Sequence, residues 1–175
     1  MDQPKTKPNT NSGAVWTYGG EEKRAFAPND YVFGRTLSTA CIVDDIIYIP
    51  ELAGFVHCLD ARTGKCYWRY DLRSVIWSSV MYADGKVFVG NEDGDVFVFR
   101  HEAHPQTIDA VEIASKQKDA KTAKLAYRAA QKQIKETYLV NKIEMNACIR
   151  STPTVAAGRL WIATESMLYC IGEQK

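Results

Sequence analysis

The amino-acid sequence predicts an all-β protein that carries one inserted α-helix. The first observation is a repeated unit of short apolar strands and tight turns, which begins at Ser38, Ser78 and Ser151. The second observation is its spacing, because the first two units start 40 residues apart and the last two start 73 residues apart. The larger spacing equals one unit plus an insertion of about 33 residues.

The length of the repeat predicts how the sheets assemble. A unit of about 40 residues made of antiparallel strands has the size of one β-propeller blade. Ile47 and Ile49 alternate with Tyr48, so both faces of the strand are apolar, which is typical of a sheet packed between two others. About 142 of the 175 residues remain without the insertion. We therefore expect a partial β-propeller of about 3.5 four-stranded antiparallel blades.

Glycines mark the turns between the expected strands. Gly85, Gly94 and Gly158 each stand where one apolar strand ends and the next begins. Glycine takes a positive φ without steric penalty, so these positions predict tight hairpins. They are candidate structural residues of the repeat.

A more specific turn follows the third strand of the first repeat. In the sequence DARTG, Asp60 is placed to accept backbone N–H bonds and Gly64 to take the left-handed conformation. Thr63 precedes that glycine, and Trp68 follows on the expected outermost strand, where a large ring can cover the seam between blades. We interpret these four residues as structural.

The pattern Asp60-x-x-Thr63-Gly64-x-x-x-Trp68, preceded by VDDIIYIPELAGFVHCL, resembles the pyrroloquinoline-quinone-type (quinoprotein-like) β-propeller repeat. That family includes the BamB-like assembly-factor proteins of the bacterial cell envelope and the quinoprotein alcohol dehydrogenases. The resemblance covers roughly residues 35–100 and 146–172. It implies a non-catalytic scaffold for protein–protein interaction in the periplasm or cell envelope, with Gly64 and Trp68 as determinants of the blade.

The two ends of the sequence leave alternatives open. We expect residues 1–13 to be disordered and residues 14–175 to form the blades. Residues 14–20, AVWTYGG, are expected either to close the last blade or to finish an earlier one. Because propellers need at least four blades, the chain is either part of a longer propeller or self-associates to complete a ring. Residues 1–13 lack the apolar core of a signal peptide, which leaves a cytoplasmic location open.

The sequence offers no evident catalytic constellation. Its five cysteines, at positions 41, 58, 66, 148 and 170, include no adjacent pair, whereas the resemblance to quinoprotein dehydrogenases implies one beside a quinone and a calcium ion. His57, His101 and His104 have no Ser or Cys nucleophile at a recognisable spacing. We therefore expect a protein that is not an enzyme and has no cofactor. The alternative is part of a quinoprotein dehydrogenase whose site for pyrroloquinoline quinone and calcium lies in missing blades.

The insertion, at about residues 114–140, is predicted to be a helix, because it is rich in Ala, Lys and Gln and lacks Gly and Pro. Residues 115–136 hold seven Lys or Arg and two acidic residues, in a chain of net charge +1. The favoured interpretation is a solvated helix lying against its own blades, and an acidic protein partner comes next. The candidate partner-binding residues are Lys121, Lys124, Arg128, Lys132 and Lys135. Near-neutral charge and the lack of a long apolar run predict neither nucleic-acid binding nor a transmembrane segment.

Overall fold

The computed structural model describes residues 13–21 and 31–173. Three antiparallel β-sheets, of four, four and three strands, resemble propeller blades, and two helices accompany them. The prediction of a mainly β protein is therefore confirmed, while the prediction of one inserted helix is wrong because there are two. Residues 1–12 of the segment expected to be disordered lie outside the described residues.

The first sheet, here called the first blade, contains β1 (Cys41–Val43), β2 (Ile46–Pro50), β3 (Phe55–Asp60) and β4 (Cys66–Asp71). The second blade contains β5 (Met81–Ala83), β6 (Lys86–Gly90), β7 (Asp95–Arg100) and β8 (Leu139–Glu144). The third blade contains β9 (Thr154–Ala156), β10 (Arg159–Ala163) and β11 (Leu168–Ile171). In each blade the strands pair in chain order, so every blade is a meander.

The insertion lies inside the second blade rather than between the second and third repeats. It contains α1 (Ala110–Ser115) and α2 (Ala120–Tyr138), and it joins β7 to the outer strand β8. In the first blade the same connection is the short turn at residues 60–65. The second repeat lacks that turn sequence because the insertion replaces it.

The hairpins between the first two strands of each blade have a common geometry. The central residues have positive φ in all three: 48° and 60° at Asp44 and Asp45, 48° and 68° at Asp84 and Gly85, and 51° and 70° at Ala157 and Gly158. Two successive positive φ angles define the type I′ turn, whose twist matches that of the flanking antiparallel strands.

Hydroxyl side chains link each blade to the next near the innermost strands. The Ser38 hydroxyl donates to the carbonyl of Ser78 at 2.8 Å, and the Thr39 N–H donates to the Ser79 hydroxyl at 2.8 Å. The Ser79 N–H in turn donates to Oγ1 of Thr152 at 3.2 Å. The small polar residues that open each repeat thus fix the position of one blade relative to its neighbour.

The core fills the two seams between blades. Tyr48, Val56 and Cys58 of the first blade pack in the seam with the second blade. The residues at the same places in the second blade, Phe88, Val96 and Val98, pack against Ile149 and Ile162 in the seam with the third. Apolar residues on both faces of a strand are therefore used by two different seams.

Candidate functional site

The helical insert is capped by two aspartates. Asp109 precedes α1, and its Oδ1 accepts hydrogen bonds from the N–H groups of Val111 and Glu112 at 3.0 and 2.9 Å. Asp119 precedes α2 and accepts from the N–H of Thr122 at 2.9 Å. An acceptor at this position satisfies N–H groups that the first helical turn leaves without partners.

One face of α2 is buried against α1 and the blades. The buried residues recur every three or four positions: Ala123, Tyr127, Ala130, Ile134 and Tyr138. Two of them are alanines, so the helix approaches its neighbours closely. The apolar face of α2 is therefore already occupied within the chain.

The insert also covers the open edge of β4, the outer strand of the first blade. The N–H of Ile108 donates to the carbonyl of Tyr67 at 2.7 Å. The Gln131 side chain donates through Nε2 to the carbonyl of Arg69 at 2.7 Å and accepts through Oε1 from the N–H of Asp71 at 3.1 Å. Gln131 thus makes the two hydrogen bonds that a neighbouring strand would make, and it fixes α2 on the blade.

Trp68 lies on β4 beneath the insert and is fully buried. Its ring stacks on Tyr138, the last residue of α2, with a centroid distance of 5.1 Å and an interplanar angle of 25°, and it also contacts Phe99 at 5.5 Å. The Tyr138 hydroxyl accepts from the N–H of Gln106 at 2.7 Å. A sequence motif of the first blade is therefore packed by residues from the insert of the second.

The turn at residues 60–64 is held by Asp60. Its Oδ1 accepts from the N–H groups of Arg62 and Thr63 and from the Thr63 hydroxyl at 2.9, 2.7 and 2.8 Å, while Oδ2 accepts from the Tyr67 hydroxyl at 2.9 Å. The hydrogen bonds from Thr63 hold the pKa of Asp60 below its ordinary value. Gly64 completes the turn with a φ of 72°.

Trp16 lies against this turn. Its Nε1 donates to the carbonyl of Ala61 at 3.0 Å, and a Cβ placed on Gly64 would lie 2.5 Å from its ring. Residues 14–20 do not form a strand, so the prediction of a closing strand at that position is wrong in this structure. A side chain takes the contact instead, because the missing Cβ of Gly64 leaves room for a ring.

Opposite the buried side of α2 runs a stripe of five exposed cations: Lys121, Lys124, Arg128, Lys132 and Lys135. They recur every three or four positions, so they share one helical face about 21 Å long. Lys132 lies 3.5 Å from Glu136. The other four make no ion pair within residues 13–21 and 31–173. We call these five residues the basic face.

A cleft of about 290 Å³ lies between the N-terminal segment, β4 and α1. Tyr18, Cys66, Arg69 and Asp109 are among the residues that line it. Burial raises the pKa of Cys66 to about 11, so its side chain is a thiol rather than a nucleophilic thiolate at neutral pH. The cleft therefore does not present an activated cysteine.

Two histidines form hydrogen bonds with tyrosines. His57 is fully buried, its Nδ1 lies 3.0 Å from the Tyr18 hydroxyl, and its Nε2 lies 3.6 Å from Oε2 of the buried Glu51. His101 bridges Tyr48 and Asp44 at 3.0 and 3.1 Å. These histidines join neighbouring segments, and His104 is exposed.

The comparisons with known proteins identify the family. Residues 9–105 match the protein family described as outer membrane protein assembly factor BamB, which is more than half of the 175 residues. The chain belongs to this family. The resemblance to quinoprotein-like propeller repeats is thereby confirmed.

The relatives include both an assembly factor and dehydrogenases. The chain is 32% identical over 93 residues to 1-butanol dehydrogenase (cytochrome c) of Thauera butanivorans, covering 47% of this chain and 12% of that protein. It is 29% identical over 105 residues to quinohemoprotein alcohol dehydrogenase of Comamonas testosteroni, covering 54% and 13%. The structure of BamB from Moraxella catarrhalis aligns with a TM-score of 0.51 at 18% identity, covering 78% of this chain and 33% of that one. The chain thus spans about an eighth of these dehydrogenases and a third of that BamB, and the structural likeness concerns the fold alone.

The described residues do not fit a quinone cofactor held over calcium. Within residues 13–21 and 31–173, no three His, Cys, Asp or Glu side chains are grouped as a metal site requires. The cleft described above lies beside the outer strand β4, and not between the inner strands of the blades. In the same part of the chain, no helix is long and apolar enough to cross a membrane.

Proposed function

We propose that this chain is a non-catalytic part of a β-propeller and serves as a scaffold for protein–protein interaction, with the basic face of α2 as a binding surface for an acidic protein partner. The observation that supports it is the way α2 is held. Gln131 and Tyr138 fix the helix on β4, while the five cations point away from the blades. A cationic stripe on a fixed helix is preorganised, so little conformational entropy is lost when a partner binds.

An acidic protein is a better partner for this face than a lipid surface. Helices that lie in a membrane interface insert an apolar face between the lipids. In α2 that face is buried against the chain itself, and Leu125 is a large apolar residue of α2 that is exposed, at 57%. Carboxylates spaced along a partner helix or loop can match cations repeated over about 21 Å.

The experiment measures binding of a fluorescent peptide of ten glutamates to the full chain at low ionic strength. Reversal of two charges, Lys124→Glu with Arg128→Glu, is expected to weaken binding at least about tenfold. The matched control reverses two exposed cations on other elements, Lys65→Glu with Arg159→Glu, which gives the same net charge. Equal losses in both variants would mean that net charge alone governs binding, and the proposal would fail. Tighter binding of vesicles of phosphatidylserine than of the peptide would also overturn it.

The dehydrogenase alternative is supported by the identity with two dehydrogenases at 32% and 29%. In that case the described blades would serve as part of the wall of a larger propeller, and the quinone would be held by other blades. Titration of the chain with pyrroloquinoline quinone and calcium, followed by thermal unfolding, tests it. A saturable rise in Tm would support the alternative, and an unchanged Tm would support the scaffold.

The family membership also supports a location in the cell envelope, since the family is named for an outer membrane assembly factor. Completion of a ring by a second copy of the chain stays a prediction, for which light scattering after size exclusion is the test. A mass of twice 19.7 kDa would support self-association.

A further inference from the structure

The third blade has an open outer edge. In the first two blades the third strand pairs with an outer strand, β3 with β4 and β7 with β8. In the part of the chain that the structure describes, β11 pairs with β10 alone. Unpaired N–H and C=O groups on such an edge are a template for another strand.

Side chains on β11 show how much this edge lacks. Leu168 and Ile171 are 66% and 40% exposed. The residues at the same register positions in the second blade, Val96 and Phe99, are fully buried. The apolar side chains of β11 are thus suited to a covered strand but are left in water.

The outer strands of the first two blades share a sequence rule. The basic residues Arg69 and Lys142 stand opposite His57 and Phe97, and Lys142 lies 5.9 Å from the centre of the Phe97 ring. The register places Tyr169 of β11 at the position of Phe97. A basic residue opposite Tyr169 would make the same contact with an aromatic ring.

The next two positions extend the rule. An apolar residue, Tyr70 or Ile143, follows the basic one and pairs with a valine of the third strand. An acidic residue, Asp71 or Glu144, comes next. Both outer strands therefore read basic, apolar, acidic, although their other residues differ.

We propose that β11 binds an extended segment of a partner protein as an antiparallel fourth strand. The segment carries a basic–apolar–acidic triplet, with its basic residue opposite Tyr169, its apolar residue opposite Leu168 and its acidic residue opposite Met167. Main-chain hydrogen bonds hold the strand, and the alternate side chains select it. This inference rests on the proposed function in assigning protein binding to the chain, but it uses an edge of the third blade, whereas α2 lies on the first.

The test uses a blocked hexapeptide with the sequence of β8, LVNKIE, titrated into the full ¹⁵N-labelled chain. We expect saturable shifts of backbone amide signals confined to residues 167–172. The peptide LVNEIE, in which Glu replaces the basic residue, is expected to bind about fivefold more weakly. Equal affinity of the two peptides, or shifts elsewhere in the chain, would overturn the proposal.

Two variants separate the edge from general stickiness. Leu168→Arg removes the apolar partner on β11 and is expected to weaken LVNKIE about fivefold. Leu125→Arg alters a similarly exposed leucine on α2, 57% against 66%, and is expected to leave affinity unchanged. If LVNKIE does not bind and Leu168→Arg instead dissociates a dimer of the chain, the edge belongs to a second copy and the proposal is wrong.

The charge-reversed chain, Lys124→Glu with Arg128→Glu, distinguishes this inference from the proposed function. It is expected to bind LVNKIE as the natural chain does. Loss of glutamate-peptide binding with LVNKIE binding intact would overturn the role of α2 and keep the strand site. The reverse result would overturn the strand site and keep the basic face.

Discussion

Tyr138 at the end of α2 stacks on Trp68 in the outer strand of the neighbouring blade, with ring centroids 5.1 Å apart and planes 25° from parallel. Both side chains are buried, with 1% and 0% of their surface exposed. In an unmodified blade a short turn joins the third strand to the outer one. Here the connection is a helical insert, and its last residue covers the tryptophan of the preceding blade.

Replacement of Tyr138 tests how far the insert stabilises the fold. Tyr138→Ala is expected to lower the free energy of unfolding by about 3–5 kcal/mol, because it leaves a cavity against Trp68. Tyr138→Phe keeps the ring and removes the hydroxyl that accepts from the N–H of Gln106, so we expect a loss of about 1 kcal/mol. Urea unfolding measures both. Similar losses in the two variants would contradict a stabilising role for the stack.

Gln131 is expected to matter more than other glutamines of α2. Gln131→Ala removes two hydrogen bonds to the backbone of β4 and should lower the free energy of unfolding by about 1–2 kcal/mol. Gln133→Ala is the matched control, since Gln133 is exposed on the same helix and should change stability by less than about 0.5 kcal/mol. Hydrogen exchange at the Asp71 amide should accelerate in the first variant alone. An unchanged exchange rate there would show that β4 does not depend on this side chain.

The repeated strands were predictable because their signals are local. Alternating apolar residues and turn residues such as Asp84 and Gly85 recur at 40-residue spacing, and each signal is contained in a few adjacent residues. The helical composition of the insertion was readable for the same reason. The family resemblance rested on one turn and one tryptophan, and the comparison confirms it.

The position of the insertion was not predictable in the same way. β8 has neither a Thr-Gly turn before it nor a tryptophan, so nothing in LVNKIE identifies it as the outer strand of the second blade. The contacts of Gln131 with β4 span about 60 residues and involve the backbone of the strand, which leaves no pattern in the sequence. Trp16 was expected on a strand, and its contact with Gly64 depends on the fold of residues 48 positions away.

The buried His57 predicts a dependence of stability on pH. Burial holds the pKa of His57 below its ordinary value near 6.5, and the groups that face it are Tyr18, Glu51 and Arg69. Because the unfolded chain then binds the proton more readily, this contribution is complete above about pH 6.5 and decreases as the pH falls below it. The decrease is at most about 1.4 kcal/mol per pH unit for one proton.

The measurement is urea unfolding between pH 5 and pH 7.5, above the range where ordinary carboxyl groups titrate. His57→Gln keeps a polar side chain that does not titrate, so its stability should vary less over this range. If the natural chain and His57→Gln lose stability in parallel as the pH falls, the dependence arises elsewhere and this prediction is wrong.

Gly64 and Gly85 separate backbone strain from packing at the turn after β3. Both glycines have nearly the same φ, 72° and 68°. A Cβ at Gly85 meets nothing within 4 Å, whereas a Cβ at Gly64 would lie 2.5 Å from the ring of Trp16. Gly85→Ala should therefore lower the free energy of unfolding by about 1 kcal/mol through backbone strain alone. Gly64→Ala should cost about 1–3 kcal/mol more, because the added methyl group displaces the indole.

A double-mutant cycle with Trp16→Ala completes this test. In the Trp16→Ala background the ring is absent, so Gly64→Ala should cost no more than Gly85→Ala does in the natural chain. Equal costs of Gly64→Ala in both backgrounds would show that Trp16 does not rest on Gly64 in solution. The expected coupling would mean instead that Gly64 is required both for its conformation and for the space it leaves, through which the N-terminal segment is held on the first blade.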